Sequence, residues 1–273
     1  MVRGGVGVEW LAPSSLEEAA ELRAQRGADT TVVAGGSFLG ILMNQGFVQP
    51  SSLLSLGRVE ELCGIGVDHR ELRLGAMVTH RRVERDPAVR AGWPVLAHAF
   101  GLVASPRVRN QATVGGVLAD ADYASDPPAV LSALNARAVL RSPRGERQVP
   151  IDELILGFYE TCIADDELLT EVRVPAGVER ATYRKFRSRS SEDRPCVAVA
   201  AARAAGTLRV VVGACAEVPQ HYADICADAS DAREIGEHYA DRMEPLSDSR
   251  GSAEYRRRVV AVKVRRAVEE IAG

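Results

Sequence analysis

Two pairs of adjacent glycines, Gly35-Gly36 and Gly115-Gly116, are the residues of this sequence best suited to hold a phosphate group. A glycine carries no Cβ, so its backbone can approach a ligand closely, and successive backbone N–H groups can form a concave site for an anion. The diphosphate of a dinucleotide needs such donors. Neither pair fits G-x-G-x-x-G or the Walker pattern G-x-x-x-x-G-K-S/T, so a Rossmann or P-loop site is not indicated. By pattern alone, an ordinary tight turn explains each pair better than a phosphate site.

The histidines and cysteines show no spacing typical of a metal or cluster site. The five histidines include no H-x-x-x-H pair, and the five cysteines are scattered without a C-x-x-C pair. The sequence also lacks a G-x-S-x-G nucleophile elbow. We therefore predict no metal site in this chain and assign no catalytic residue. The acidic pairs Asp165-Asp166 and Glu192-Asp193 are typical of charged loops rather than of acid–base catalysis.

Helix and strand signals surround both glycine pairs. Ser14, with Glu17 three residues later, forms a capping-box pattern for a helix that ends near Gln25. The β-branched run Thr31–Ala34 predicts a buried strand that stops at the first glycine pair, and Thr113–Gly116 is predicted to be a second glycine loop. The other predicted elements are strands at Leu53–Leu56, Glu71–Ala76, Leu168–Val174, Ala181–Phe186, Val197–Ala202 and Leu208–Val212, a hairpin over Val139–Arg147, and helices at His80–Arg85, Pro94–Ala104 and Ser252–Ile271.

The composition is that of an ordinary folded protein. Hydrophobic residues make up 46% and charged residues 26% of the 273 residues, which excludes wholesale disorder and predicts two domains or one two-part body. A net charge of −3 gives no reason to expect nucleic acid or an anionic membrane as a partner. The basic residues Arg256–Arg258 and Lys263 are interleaved with glutamates and predict a solvated helix face. Without a membrane-spanning apolar run or a signal-peptide h-region, the sequence predicts a cytoplasmic protein.

Five segments of the chain match one known family in order and spacing. The three longer ones are VVAGGSFLGILM over Val32–Met43, NQATVGGVLADADYASDPPAVLSAL over Asn110–Leu134 and SDSRGSAEYRRRVVAVKVRRAVEE over Ser247–Glu270. The two shorter ones are Ser105–Asn110 and Glu167–Thr170. Through these segments the sequence resembles the FAD-binding medium subunit of the xanthine dehydrogenase and carbon monoxide dehydrogenase family of molybdenum hydroxylases, over nearly the whole chain.

The resemblance implies an α+β fold in two parts, with FAD as the cofactor. A two-subdomain FAD-binding domain of the vanillyl-alcohol-oxidase-like type would occupy residues 1–176. A smaller α+β C-terminal domain with a three-stranded sheet and helices would occupy residues 177–273. The implied site residues are Ala34, Gly35, Gly36, Ser37, Phe38 and Leu39 on one side of the diphosphate, Thr113, Gly115 and Gly116 on the other, Asp120 in the second segment, and Asp126 and Lys185 near the flavin.

Two of these implied site residues have a structural alternative. Asp126 could instead be the N-cap of a helix that begins at Pro127. Lys185 could be a solvated lysine on a strand, and Arg184 and Arg187 offer competing matches to the family position.

The sequence departs from the family pattern inside the implied site. Phe38 stands where a small polar residue is usual, Ile41 where proline is usual, Val117 where asparagine is usual and Tyr123 where proline is common. These changes remove side-chain hydrogen bonds but leave both glycine pairs in place. Phe38 and Tyr123 could instead cover the ring system of the cofactor.

The implied function is electron transfer. As the FAD-carrying subunit of a molybdenum hydroxylase, the chain would pass electrons from a partner's iron–sulfur clusters to NAD, oxygen or a quinone. The expected partners are a molybdopterin-binding large subunit and an iron–sulfur small subunit, in a complex that could itself dimerise. Two alternatives stay open: a stand-alone enzyme that acts directly on a small molecule, by oxidation or by non-redox chemistry, and a flavin-free scaffold subunit.

Overall fold

The computed structural model describes residues 7–190, 192–228 and 231–272. Its helices are α1 (Leu16–Arg26), α2 (Leu39–Asn44), α3 (His80–Arg85), α4 (Pro87–Gly92), α5 (Pro94–Gly101), α6 (Pro106–Arg109), α7 (Val114–Ala119), α8 (Pro127–Ala133), α9 (Ile151–Leu154), α10 (Ala223–Asp228), α11 (Ala232–Arg242) and α12 (Ala253–Ala272). Its strands are β1 (Glu9–Leu11), β2 (Thr30–Val33), β3 (Ser52–Ser55), β4 (Ile65–Val67), β5 (Glu71–Gly75), β6 (Arg137–Ser142), β7 (Gly145–Pro150), β8 (Ile155–Gly157), β9 (Glu160–Thr161), β10 (Leu168–Pro175), β11 (Val178–Phe186), β12 (Val197–Ala204) and β13 (Thr207–Gly213).

The first part of the chain forms a parallel sheet with the strand order β1-β3-β2. The helix before β2 begins after Ser15, whose hydroxyl accepts a hydrogen bond from the N–H of Glu18 at 3.2 Å. The cap is therefore one residue later than the predicted pair Ser14 and Glu17, and the Glu18 carboxylate instead accepts the N–H of Ser14 at 2.8 Å. β2 ends at Val33, immediately before the first glycine pair.

A five-stranded antiparallel sheet with the order β4-β5-β10-β6-β7 forms the centre of the molecule. Its strands alternate between core and solvent: Leu72 and Leu74 of β5 are buried, whereas Arg73 between them is exposed. The same core includes Phe100 of α5 and Leu131 of α8. These helices therefore pack on the central sheet and hold the segments that precede and follow α7.

The last part of the chain folds into an antiparallel sheet with the order β11-β12-β13, followed by helices. Both faces of β12 are buried, because Ala198 and Ala200 join the core that contains α8 while Val199 joins a second core with Val260 of α12. This explains why β12 is apolar without alternation. The predicted α+β class, with a C-terminal three-stranded sheet and helices, is confirmed.

The prediction of a second glycine loop is wrong, because Gly115 and Gly116 lie in the first turn of α7. Thr113 is the N-cap of this helix, and its hydroxyl accepts the N–H of Gly116 at 3.1 Å. The sequence pattern also gave no signal for the short helices α2 and α6. The first glycine pair is a loop as predicted, and it leads directly into α2.

The prediction that Arg256–Arg258 form a solvated face is wrong for Arg256, which is fully buried. Its guanidinium donates to Asp248 at 2.6 Å, so the charge is paired inside the protein. Arg257 donates to the carbonyl oxygens of Ala240 and Met243, whereas Arg258 stays exposed on α12. Among the described residues, no helix has both the length and the apolar character needed to cross a membrane.

Candidate functional site

All twelve predicted site residues line a single cavity of about 850 Å³. The first glycine loop, α7 with its cap, the turn before α8, β11 and the segment before α12 each contribute part of its wall. Pockets for small molecules and cofactors usually measure a few hundred to about 1,000 Å³. The cavity is therefore large enough for a dinucleotide, and residues far apart in the sequence form it together.

The loop over residues 34–39 presents a row of free hydrogen-bond donors. None of the six consecutive backbone N–H groups from Ala34 to Leu39 donates a hydrogen bond to any residue that the structure describes. The turn that brings them together depends on Gly36, whose φ of +66° is in the left-handed region that favours glycine. Backbone N–H groups without partners are rare in folded proteins unless a ligand or water accepts them. The loop is therefore suited to bind an anion such as a diphosphate.

Gly35 is where the two glycine segments come into contact. A Cβ at Gly35 would lie 1.9 Å from the carbonyl oxygen of Gln111, a distance that no real contact allows. Gln111 precedes Ala112 and the helix cap Thr113, so the first loop rests against the backbone that leads into α7. Glycine is required here because of this close approach, and any side chain would push the two walls of the cavity apart.

The second glycine pair has a different role in the structure. The N–H of Gly115 donates to the carbonyl oxygen of Ala76 at 2.8 Å, and that of Gly116 donates to Thr113 Oγ1. A Cβ at Gly115 would lie 2.6 Å from the Cβ of Ala76. Both N–H groups therefore already have protein acceptors. Because neither glycine has a side chain, α7 can pack closely against the segment after β5, and this packing shapes the cavity wall.

A buried ion pair lies in the wall of the same cavity. Lys185 Nζ of β11 is 2.8 Å from Asp126 Oδ2 and also donates to the carbonyl oxygen of Leu102 at 3.0 Å. The hydroxyl of Tyr183 donates to the other carboxylate oxygen of Asp126 at 2.5 Å. Burial raises the pKa of Asp126 and lowers that of Lys185, whereas their mutual attraction opposes both shifts.

These contacts test the structural alternatives for the two residues. Asp126 occupies the N-cap position of α8 but makes no side-chain capping hydrogen bond, because both of its carboxylate oxygens bind side chains of β11. The capping explanation for its side chain is therefore wrong. The solvated-lysine explanation for Lys185 is also wrong, since its side chain is buried.

Phe38 and a second ion pair lie at another part of the cavity. The ring of Phe38 stacks on Tyr159 with 6.0 Å between centroids, and the guanidinium of Arg194 lies 5.3 Å from the Phe38 centroid. Arg194 also pairs with the buried carboxylate of Asp122. Burial and the Asp122 carboxylate raise the pKa of Asp120 to about 7, although Arg194 acts to lower it.

Tyr123 is not among the residues that line the cavity. Its hydroxyl donates to Asp248 Oδ2 at 2.8 Å and accepts from Arg250 at 3.0 Å, and its ring contacts the edge of Phe158. Tyr123 therefore connects the turn before α8 to the segment before α12. The structure does not support a role for Tyr123 in covering a cofactor ring.

Sequence reasoning missed several charged residues of the cavity. Arg23, Asp122, Arg194 and Arg250 all line it. Arg250 lies inside a segment that carried the family resemblance, but its position in the cavity depends on the packing of α12, which spacing does not reveal. Among the described residues, no group of three or more His, Cys, Asp or Glu side chains is placed to hold a metal ion.

Comparison with known proteins identifies relatives for most of the chain. Residues 6–177 match the family described as the FAD binding domain in molybdopterin dehydrogenase. The carbon monoxide dehydrogenase medium chain of Hydrogenophaga pseudoflava is 37% identical over 186 residues, which cover 67% of this chain and 65% of the relative. The nicotine 6-hydroxylase medium subunit of Paenarthrobacter nicotinovorans is 36% identical over 185 residues, which cover 68% of this chain and 65% of the relative. The aligned region thus spans slightly less than two thirds of either relative.

Solved structures extend the likeness over the whole fold. A chain of the Hydrogenophaga pseudoflava carbon monoxide dehydrogenase that lacks the Mo-pyranopterin moiety superposes with a TM-score of 0.91 and 32% identity, covering 97% of this chain and 96% of that chain. A chain of quinoline 2-oxidoreductase from Pseudomonas putida 86 gives a TM-score of 0.90 and 30% identity, with 97% of both chains covered. The C-terminal sheet and helices are therefore part of the shared fold.

Proposed function

The chain belongs to the family of FAD-binding domains of molybdopterin dehydrogenases, and we propose that it transfers electrons through FAD between partner iron–sulfur clusters and a final acceptor. FAD is the cofactor of this family. When bound, a flavin can accept electrons one at a time and release them as a pair to NAD, oxygen or a quinone. The protein contributes binding, orientation and electrostatics.

The row of free N–H groups over residues 34–39 is the observation that carries this proposal. In the proposed site these groups hold the diphosphate of FAD, since they form a row of consecutive unpaired backbone donors in the cavity wall and need an acceptor. Thr113, Gly115 and Gly116 form the opposite side of the diphosphate site. A Cβ at Gly115 would meet Ala76 and a Cβ at Gly116 would meet Thr113 Oγ1, so glycine at both positions lets this helical turn pack closely beside the proposed site.

The remaining predicted residues position the rest of the cofactor. Asp126 and Lys185 are proposed to lie near the flavin, where Lys185 carries a positive charge that is held in place by Asp126 and the Leu102 carbonyl. A fixed positive charge favours a ligand group that gains negative charge. Phe38 and Asp120 are proposed to flank the cofactor from the loop and from α7.

The proposal includes partner subunits. Relatives of this chain are named as medium chains or medium subunits. One of the similar solved structures is a form of carbon monoxide dehydrogenase that lacks the Mo-pyranopterin moiety of its molybdenum cofactor. We infer a molybdopterin-binding large subunit that oxidises the substrate and an iron–sulfur small subunit that delivers electrons. A dimer of the whole complex is compatible with this arrangement.

The visible absorption spectrum of the purified chain tests the first half of the proposal. Absorption bands at about 370 and 450 nm, with FAD released by acid, are expected of a bound oxidised flavin. A colourless protein that cannot be reconstituted with FAD would favour a flavin-free scaffold.

Co-purification tests the second half of the proposal. The full chain, produced with the subunits encoded beside it, should elute with a molybdopterin protein and an iron–sulfur protein, and substrate should then bleach the flavin band. A yellow protein that elutes alone and is reduced directly by a small molecule would instead support a stand-alone enzyme.

A further inference from the structure

Asp120 contributes an acidic side chain to the cavity. Asp120 lines the cavity as the C-cap of α7, where its N–H donates to the carbonyl oxygen of Gly116 at 2.9 Å. Its carboxyl group has no hydrogen bond and no ion pair with any residue that the structure describes, whereas the neighbouring Asp122 pairs with Arg194. Asp120 is partly buried, and partial burial without a cationic partner acts against the ionised form of its carboxyl group.

The position of Asp120 relates it to the diphosphate site. Gly116 and Asp120 are four residues apart along α7 and its cap, so both lie on the same face of the helix. Gly116 is the point where this face meets the first loop, because a Cβ there would lie 3.7 Å from the Cβ of Ala34. Asp120 therefore lies on the face of α7 that meets the first loop, whose free N–H groups are proposed to hold the diphosphate and its two negative charges.

We propose, on the basis of the proposed FAD site, that Asp120 takes up a proton from solvent when FAD binds, so that a neutral carboxylic acid rather than a carboxylate faces the diphosphate. Protonation removes the repulsion between the carboxylate and the phosphates. It also gives Asp120 an O–H group that can donate to a phosphate oxygen. FAD affinity then falls as the pH rises, and Asp120 makes cofactor loading sensitive to pH.

The charged groups that act on the pKa of Asp120 are Asp122 and Arg194. Asp122, in the turn after α7, acts with burial to raise the pKa of Asp120 to about 7, and Arg194, before β12, opposes them. Tyr159, on the turn between β8 and β9, has its own pKa raised by burial and stays neutral. Burial lowers the pKa of His80 to about 4, so this residue of the same cavity is neutral throughout the range.

Isothermal titration of FAD into the flavin-free full chain measures the proton directly. The titration is run in phosphate and in Tris at pH 7, because the two buffers release different heats when they supply a proton. The wild-type protein should take up about half a proton per FAD, since a carboxyl with a pKa of about 7 is half protonated beforehand. Asp120→Asn should take up close to none, and at pH 8 it should bind FAD about tenfold more tightly than the wild-type protein.

Asp241→Asn serves as the matched control, since Asp241 is an exposed carboxylate on α11 outside the cavity. It should match the wild-type protein in both proton uptake and affinity. Equal proton uptake by the wild-type protein and Asp120→Asn would overturn the assignment to Asp120, as would a wild-type affinity that does not change between pH 6 and pH 8. A wild-type chain that binds no FAD at all would instead overturn the proposed function, and the role of Asp120 with it.

Discussion

Lys185 Nζ lies 2.8 Å from Asp126 Oδ2, and the side chains of the two residues are only 1% and 4% exposed. The pair connects β11 of the C-terminal sheet to the residue that precedes α8, and so it joins the two parts of the chain in the wall of the cavity. Buried charges are tolerated when they are paired and hydrogen-bonded, and here Tyr183 and the Leu102 carbonyl complete the set.

Lys185→Met should therefore destabilise the protein strongly. Removing one charge leaves Asp126 buried without its counter-ion, which typically costs about 3–5 kcal/mol of unfolding free energy. Lys185→Met combined with Asp126→Asn should recover part of this loss, because no buried charge then remains unpaired. Urea unfolding of both variants measures the difference. Lys263→Met is the control, because Lys263 is the other lysine of the chain and lies at a partly exposed position of α12. It should change the free energy of unfolding by less than about 1 kcal/mol.

Gly35→Ala should reduce both stability and FAD binding. The new Cβ would lie 1.9 Å from the Gln111 carbonyl oxygen, so the first loop must move away from the backbone before α7. Overpacking of this kind costs about 1–3 kcal/mol or more. Thermal unfolding and FAD titration follow the two effects.

Gly92→Ala is the matched control for this change, because a Cβ at the end of α4 meets no atom within 4 Å. It should leave FAD binding unchanged and stability equal or higher by up to about 1 kcal/mol. If both alanine variants behave alike, the close approach at Gly35 does not limit the fold.

Arg194→Gln should shift the pH dependence of FAD binding upward. Arg194 acts to lower the pKa of Asp120, so its removal leaves burial and the Asp122 carboxylate unopposed and the pKa of Asp120 rises. FAD affinity should then start to fall at a higher pH than in the wild-type protein. The measurement is FAD affinity from pH 6 to pH 9 for both proteins. A midpoint that moves downward would contradict the electrostatic relationship between Arg194 and Asp120.

Asp248→Asn should remove a part of the acid sensitivity of the fold. Burial acts to raise the pKa of Asp248, but hydrogen bonds from the Arg250 N–H and Tyr123 together with the charge of Arg256 lower it to about 2. The pKa of this carboxyl group is therefore lower in the folded protein than in the unfolded chain, where it is about 4. The ionised group stabilises the fold at pH values above about 4, and this stabilisation is lost as the pH falls toward 2.

The free energy of unfolding of the wild-type protein should therefore fall more between pH 5 and pH 2.5 than that of Asp248→Asn. The variant should be less stable at pH 7, where it lacks the charge that pairs with Arg256. Urea unfolding at the three pH values gives both comparisons. Equal losses in the two proteins would show that Asp248 is not responsible for the acid sensitivity.

Local signals in the sequence predicted a large part of the fold and the members of the site. The helix after Thr79 and the loop at Gly35-Gly36 follow from residue types within one or two turns, and the structure has both. The family resemblance brought Asp126 and Lys185 into the same site, although they are 59 residues apart.

The different roles of the two glycine pairs could not be predicted in this way. Both follow an apolar run and look alike in sequence, but one leaves its N–H groups free while the other donates to Ala76 and Thr113. That distinction depends on which carbonyl groups the tertiary fold places nearby. The burial of Arg256 is similar, since its partner Asp248 becomes available only when α12 packs against the C-terminal sheet.

The cavity includes Ala34 and Arg250, which are about 200 residues apart along the chain. During synthesis on the ribosome, the glycine loop emerges long before the segment that completes the cavity. The wall of the cavity is therefore complete only after the segment before α12 has been synthesised and has folded. A ligand that enters the growing chain early would thus meet an open site, and the last segment closes part of the wall around it only at the end of synthesis.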